Sequence, residues 1–310
     1  LIENLTKFLQ FTMNNNSLRI SICIPTYNAE KFIRTTIASC LQQTQSAYEI
    51  LLSDDGSGDR TADILTEYTN YPHVKIISPP QRLGIGDHYR YLSMSASGTH
   101  AVFLSCDDAL HPNFVQTATR ELAKTPQVSM LAFGGFSCDA NLQPQSRFGL
   151  SYPTQLLESP NGFNHFIKSC TYILSTCVWN CSFLQELKPL PKEAGLTTDW
   201  YWALLAGTKS DIRLSRHALG YYRYHDTNSS HSNPERWKNH AIEMLNYLAK
   251  NYELTPALQS QIDQKLPTLI VNLSETEKTI SQSPLKIKNL KEIFKRFLVH
   301  SFVTHPDFLQ

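Results

Sequence analysis

Two short apolar runs each end in a pair of carboxylates, and this constrains the fold more than any other feature of the chain. Ile50-Leu51-Leu52 leads into Ser53-Asp54-Asp55-Gly56-Ser57-Gly58-Asp59, and Ala101-Val102-Phe103-Leu104 leads into Ser105-Cys106-Asp107-Asp108. Both apolar runs read as buried strands. In an open α/β sheet, ligands bind at the carboxyl ends of the strands. Two acidic clusters at two such ends can converge on one crevice. Acid gathered there suits a divalent cation and the anionic group it neutralises, such as a nucleotide diphosphate.

The rest of the first half repeats the alternation. Arg19 to Ile24 reads as a strand and Ala29 to Gln43 as a helix, with Phe32, Ile33, Ile37 and Leu41 at near-helical spacing. Strand Glu49 to Leu52, helix Thr61 to Tyr68, strand Val74 to Ile77 and helix Gly86 to Ala96 follow. The strand ahead of Asp107 comes next, then a helix from Pro112 to about Lys124. Such βαβαβαβα order predicts a mostly parallel sheet flanked by helices. Beyond it, Val128 to Phe136 reads as strand, 137–160 as loop, Thr198 to Leu205 as helix and Ala218 to Tyr224 as an aromatic strand. From Glu235 onward the pattern is helical. The expected organisation is an N-terminal extension over 1–18, an α/β catalytic domain over 19–232 and a helical C-terminal appendage over 233–310.

Bulk properties narrow the function. The 310 residues are 41% hydrophobic and 18% charged, with a formal net charge of +1. That balance gives no electrostatic case for nucleic acid. No apolar stretch is long enough to span a bilayer, and no signal-like h-region opens the chain. The seven cysteines form no CxxC and have no paired histidines to complete a zinc pattern. They read as reduced thiols of a cytoplasmic protein.

Taken in order, Ile24-Pro25-Thr26-Tyr27-Asn28, Ser53-Asp54-Asp55-Gly56-Ser57-Gly58-Asp59, Ala96-Ser97-Gly98 and Cys106-Asp107-Asp108 resemble glycosyltransferase family 2. The resemblance covers roughly residues 19 to 225. It implies a GT-A fold, a nucleoside-diphosphate sugar as donor, and inverting transfer of a hexosyl or N-acetylhexosaminyl group to a glycan or lipid-linked glycan hydroxyl. Mn²⁺ or Mg²⁺ would offset the charge on the leaving diphosphate.

The resemblance also distributes roles. Asp108 is the expected metal ligand, with Asp107 facing the ribose or the metal's outer shell. Pro25, Thr26 and Tyr27 would wall a pyrimidine pocket, and Asp55, with Asp54 in reserve, would accept a hydrogen bond from the base. A carboxylate suits the N3–H of uracil or thymine because it is acceptor-only when ionised; the residues leave the base open beyond a pyrimidine, and a UDP-sugar is the expected donor. Asp199, in Thr197-Thr198-Asp199-Trp200-Tyr201-Trp202, stands where the family has its general base, and Thr198 stands where glutamate is usual. Tyr222-Arg223-Tyr224-His225 resembles the segment whose histidine approaches the diphosphate or the metal, so His225 is a second candidate ligand. Arg82 or Arg90 could hold the diphosphate through a guanidinium fork.

Two other readings stay open. Thr198 and Tyr91 depart from the family pattern, which leaves room for a non-catalytic sugar- or nucleotide-binding module. A sugar nucleotidyltransferase would share the layout, but it needs a glycine-rich loop after the first strand, and Pro25 to Glu30 has no glycine. Finally, Leu285, Leu290, Ile293, Phe294, Phe297 and Leu298 fall on one helical face, with Lys286, Lys288, Lys291, Lys295 and Arg296 mainly opposite. Such a helix either lies in an anionic bilayer interface, placing the protein at the inner face of the membrane, or packs on the domain with its lysines in water.

Overall fold

The computed structural model describes residues 18–149, 154–168, 172–226, 228 and 233–282. The expected extension up to residue 17 and the basic amphipathic segment 285–298 lie outside the described residues.

The apolar runs form strands where their spacing predicts them. Strand β1 (Ile20–Thr26) pairs in parallel with β2 (Glu49–Asp54), and β2 pairs in parallel with β3 (Val74–Ile77). On its other side β1 pairs in parallel with β4 (His100–Phe103). Helices α1 (Ile33–Leu41), α2 (Thr61–Thr66) and α3 (Ile85–Ser95) make the crossovers. The register sets Thr26 opposite Asp54, so the ends of β1 and β2 lie side by side.

The second half extends the sheet and departs from the expected pattern. The sheet order is β3-β2-β1-β4-β9-β6-β10-β5. Here β5 is Ala109–Leu110 and β6 is Met130–Cys138, separated by α4 (Phe114–Lys124). The expected loop over 137–160 instead contains two strands, β7 (Pro144–Phe148) antiparallel to β6 and β8 (Gln155–Leu157) antiparallel to β10. Short helices α5 (Asn161–Phe166) and α6 (Cys181–Glu186) flank β9 (Cys177–Asn180), which runs antiparallel between β4 and β6. Helix α7 (Thr198–Lys209) then leads into β10 (Ile212–Arg223), which is longer than its aromatic tail. The register shifts between Ser215 and Gly220, where β10 carries extra residues against β6.

Alternation along the strands builds two cores. Ile20, Ile22 and Ile24 face one side and pack with Ile33 and Ile37 of α1 and Phe114, Val115, Ala118 and Leu122 of α4. Cys23, Leu51 and Phe103 face the other side and pack with Tyr89 and Leu92 of α3, Trp179, and most of α7. Trp202 belongs to this second core, 5.0 Å from Phe103 and 5.5 Å from Trp179 between ring centroids. The C-terminal helices α8 (Pro234–Asn251) and α9 (Pro256–Gln282) join the same core through Ala241, Met244, Leu245, Leu248, Leu258 and Ile262. Trp237 stacks on Trp200 at 5.7 Å and fastens α8 to α7. Both tryptophans of the Trp200-Tyr201-Trp202 run are therefore core residues.

Candidate functional site

At the carboxyl edge of the parallel strands, the loops after β1 and β2 are knitted together. Asn28 has a left-handed backbone (φ 50°), which asparagine tolerates better than most residues. Its backbone N–H donates to Ser57 Oγ at 2.8 Å, and its Oδ1 accepts from the Gly58 N–H at 2.8 Å. Thr26 is buried and donates to the Ser53 carbonyl at 3.0 Å and to Asp54 Oδ1 at 3.3 Å. Asp54 also accepts the Ser57 N–H at 3.0 Å and the Ser57 hydroxyl. Its carboxylate is thus a turn builder before it is anything else.

Asp55 has a different task. It is 3% exposed, and its two oxygens accept the backbone N–H groups of Leu83 at 2.7 Å and Gly84 at 2.8 Å. Gly84 precedes α3 with φ 82°, and no side chain of its own caps that helix. Asp55 therefore fixes the turn that leads into α3 from a different strand, where the helix dipole also favours a negative charge. Asp55→Ala removes the acceptor of two half-buried backbone donors, at a cost of about 2 kcal/mol. A thermal melt should show a Tm at least about 4 °C lower than wild type. An unchanged melt would remove Asp55 from this role.

Tyr27 is 41% exposed, and the Arg82 guanidinium lies over its ring at 4.0 Å. Arg82 thus sits beside the β1 and β2 loops, with its Cβ near Gly56, while Pro25 lies half-buried behind them. Arg90 has gone elsewhere. Its Nη1 donates to the Leu187 carbonyl at 2.9 Å, and its side chain lines a separate hollow with Asp87, Lys188 and Tyr201. None of Asp54, Asp55, Asp107 or Asp108 borders that hollow. Arg90 thus ties α3 to the end of α6.

After β4, the two aspartates part company. Asp108 is fully buried: its Oδ2 accepts the Ser175 hydroxyl at 2.6 Å and its Oδ1 accepts the Arg223 N–H at 3.0 Å. Burial, then the neighbouring charge of Asp107, pushes its carboxyl well above the usual carboxylate range. Asp107 keeps an open edge, with about 20% of its side chain exposed. Its Oδ2 lies 2.8 Å from His225 Nε2 and accepts the Asn228 side-chain amide at 3.3 Å. Of the two carboxylates, Asp107 is the partly exposed one, and Asp108 lies buried behind it.

Arg223 organises this corner. It is 4% exposed and stacks over Phe32 at 4.6 Å. Its Nε donates to the Asp107 carbonyl at 2.6 Å and its Nη1 to the Ala140 carbonyl at 2.7 Å. Asn228, also 4% exposed, accepts the His225 N–H at 2.7 Å and donates to the Arg223 carbonyl at 3.1 Å. His225 packs on Phe32 with ring centroids 4.5 Å apart. Among these, Phe32 was legible in the sequence only as an apolar helix position. Asn228 follows the Tyr222-Arg223-Tyr224-His225 segment, and Ser175 carries no local signal at all.

Asp199 opens α7. The Trp200 N–H reaches its Oδ1 at 2.8 Å, and Tyr172 donates its hydroxyl to the Asp199 carbonyl at 2.7 Å. Burial pushes the Asp199 carboxyl up to about 6, only partly offset by that backbone N–H. Thr198, in the place of the family's glutamate, is buried and bonds the Gly195 carbonyl at 2.8 Å. Tyr89 of α3 is buried nearby, edge-on to Phe103 at 6.0 Å and to Trp202 at 6.2 Å. Burial raises its phenol, and the charges of Asp199, Cys106 and Asp107 raise it further. One tyrosine thus feels the carboxylates of both half-sites, a placement that sequence spacing does not reveal.

Among the described residues, no group of three or more His, Cys, Asp and Glu side chains is gathered around a common point. The Asp107–His225 pair nonetheless fits a divalent cation. Ions of this class need few protein ligands when phosphate and water complete the shell, and imidazole suits Mn²⁺.

The family model for glycosyl transferase family 2 matches residues 21–187, more than half of the chain. The chain belongs to glycosyl transferase family 2. Its curated relatives include the uncharacterized glycosyltransferase YibD of Escherichia coli K12, 33% identical over 106 residues, 34% of this chain and 30% of the relative. A chondroitin synthase of Escherichia coli is 38% identical over 106 residues, 34% of this chain and 15% of the relative. The matched stretch thus spans less than a third of either relative. Among solved structures, S. aureus TarS 1–349 in complex with UDP superposes with a TM-score of 0.61 at 17% identity, covering 92% of this chain and 79% of that one. A mannosyltransferase of Pyrobaculum calidifontis, in complex with GDP-Man and Mn²⁺, gives 0.54 at 14% identity over 91% and 80%. The sheet and its flanking helices are those of the GT-A fold that this family 2 chain was expected to adopt. Among the described residues, no helix is long and apolar enough to cross a membrane.

Proposed function

We propose that this family 2 chain is an inverting glycosyltransferase that moves a hexosyl or N-acetylhexosaminyl group from a UDP-sugar to a glycan or lipid-linked glycan hydroxyl. The observation that carries the reading is Asp107, held open after β4 by His225, Asn228 and Arg223, in a family 2 domain whose helix α7 opens on Asp199. Asp107 is partly exposed and braced just after β4; Asp199 is half-buried, with its carboxyl pushed up to about 6, close to that of a neutral-pH base. The UDP and UDP-GlcNAc complexes of TarS support the choice of nucleotide.

The chemistry follows from these positions. The acceptor hydroxyl oxygen attacks the anomeric carbon from the face opposite the diphosphate. The C–O bond to the diphosphate breaks, and its electron pair leaves with UDP. Asp199 takes the proton from the attacking hydroxyl, and the anomeric configuration inverts. Asp107 with His225 would hold Mn²⁺ or Mg²⁺, which when bound supplies positive charge to the departing diphosphate. Asp108, Arg223 and Asn228 keep Asp107 and His225 in place. Tyr27 and Arg82 offer an exposed flat wall beside Asp54 and Asp55 for the base.

A thermal-shift screen tests the assignment, since a ligand that binds only the folded state raises Tm. UDP and UDP-sugars should raise Tm in the presence of Mn²⁺, and more than GDP or CDP compounds do. A flat response to every nucleotide would sink the reading.

A further inference from the structure

Helix α3 touches both half-sites. Asp55 holds the turn before it at Leu83 and Gly84, and His88 reaches Ser53 Oγ of β2 with its Nε2 at 2.8 Å. In the first turn of the helix, Gly86 meets the 3₁₀ turn Lys192–Thr197 that delivers Asp199. A methyl group on Gly86 would lie 2.7 Å from Gly195 Cα, 3.2 Å from the Gly195 carbonyl oxygen and 3.1 Å from Thr198 Oγ1. The first two are backbone atoms and cannot swing aside. Neither glycine has a left-handed backbone, so conformation does not demand glycine at either position. Inside a helix, Gly86 is even unfavourable compared with alanine, by roughly 0.5–1 kcal/mol. Close approach is what the two residues have in common.

We propose that the backbone contact between Gly86 and Gly195 positions Asp199, setting the distance between α3, which is anchored at the nucleotide end of the site, and the turn that presents the base. Gly86 and Gly195 are positioning residues, and the inference rests on Asp199 being the base. Thr198 completes the contact: its hydroxyl bonds the Gly195 carbonyl and faces Gly86. This also accounts for a small residue at 198 where the family has glutamate. A longer side chain in that place would compete for the same gap.

The two glycines give a graded test. A methyl group on Gly195 would meet only Gly86 N at 3.3 Å and Gly86 Cα at 3.4 Å, a much milder crowding. Turnover is read as UDP release from whichever of UDP-glucose, UDP-galactose and UDP-N-acetylglucosamine the wild type hydrolyses fastest with Mn²⁺. Gly86→Ala should lower kcat at least about tenfold, since displacements of about 1 Å can cost about a hundredfold. Gly195→Ala should lower it less. Both should keep KM and the calorimetric affinity for UDP within about threefold, because the donor end is anchored separately through Asp55. A rise in KM with unchanged kcat, unchanged kinetics in Gly86→Ala, or a larger loss in Gly195→Ala than in Gly86→Ala would each overturn the proposal. If Gly86→Ala does not fold, Gly195→Ala alone decides, by a fall in kcat at constant KM or its absence. Asp199→Asn run in parallel separates the two claims. Full turnover there defeats the base assignment and this inference with it, whereas a dead Asp199→Asn beside a fully active Gly86→Ala defeats this inference alone.

Discussion

Asp199→Asn is expected to lose at least about a hundredfold in turnover while keeping its affinity for UDP, the usual size of a general-base contribution. The same substitution should make the protein more stable, and the pH dependence gives that effect a signature. The folded-state pKa of Asp199 is raised to about 6 by burial, against about 3.9 in an unfolded chain. Between those values the folded state binds the proton more tightly. Stability is therefore highest below the unfolded pKa and declines as pH rises through the folded one. Asparagine carries no such penalty and can still accept the Trp200 N–H through its side-chain oxygen. Above pH 6 the variant should melt about 2 °C or more above wild type, and the gap should close toward pH 4. The wild-type rate should fall on the acid side of about pH 6, where the base is protonated. A variant that is inactive but no more stable at pH 8 would show that Asp199 is not held as a strained anion.

The second large effect separates two adjacent aspartates. Asp107→Asn should weaken Mn²⁺-dependent UDP binding by at least about tenfold more than Asp108→Asn does, because one charged ligand is lost from a site with few protein ligands. Asp108→Asn keeps an acceptor but puts an amide where the Ser175 hydroxyl and the Arg223 N–H both donate. Its main effect should be on stability, since a buried donor left unpaired costs about 1–3 kcal/mol. Calorimetry with and without Mn²⁺, combined with thermal melts, reads both. The reverse order of affinities would return the metal-facing role to Asp108.

That contrast shows where the sequence stops being informative. Asp107 and Asp108 are neighbours of the same type, and nothing local says which one faces the opening. The choice is made by Ser175, 67 residues away, and Arg223, 115 residues away. By contrast, the strands β1 to β4 and helices α1 to α4 were legible because their apolar spacing is uninterrupted and their ends carry turn chemistry. Strand β9 was not, because Cys177–Asn180 is short and takes its place only by pairing antiparallel with β4 and β6. The front of β10 hid behind polar residues for a related reason. Arg213 is accommodated there through Glu121 of α4, with an N–O distance of 2.7 Å. Arg82 and Arg90 were indistinguishable as candidates; packing put one on Tyr27 and tied the other to Leu187. Tyr89 read only as a buried helix position, and its contacts with Phe103 and Trp202 are a property of the assembled sheet.

The most direct measurement is the anomalous signal of Mn²⁺ in crystals grown with UDP. The metal should lie against Asp107 and His225 and bridge them to the diphosphate, with the uracil beside Tyr27 and Asp55. A metal bound on any other surface, or UDP bound away from the tips of β1, β2 and β4, would contradict a shared donor site built from these strand-end carboxylates.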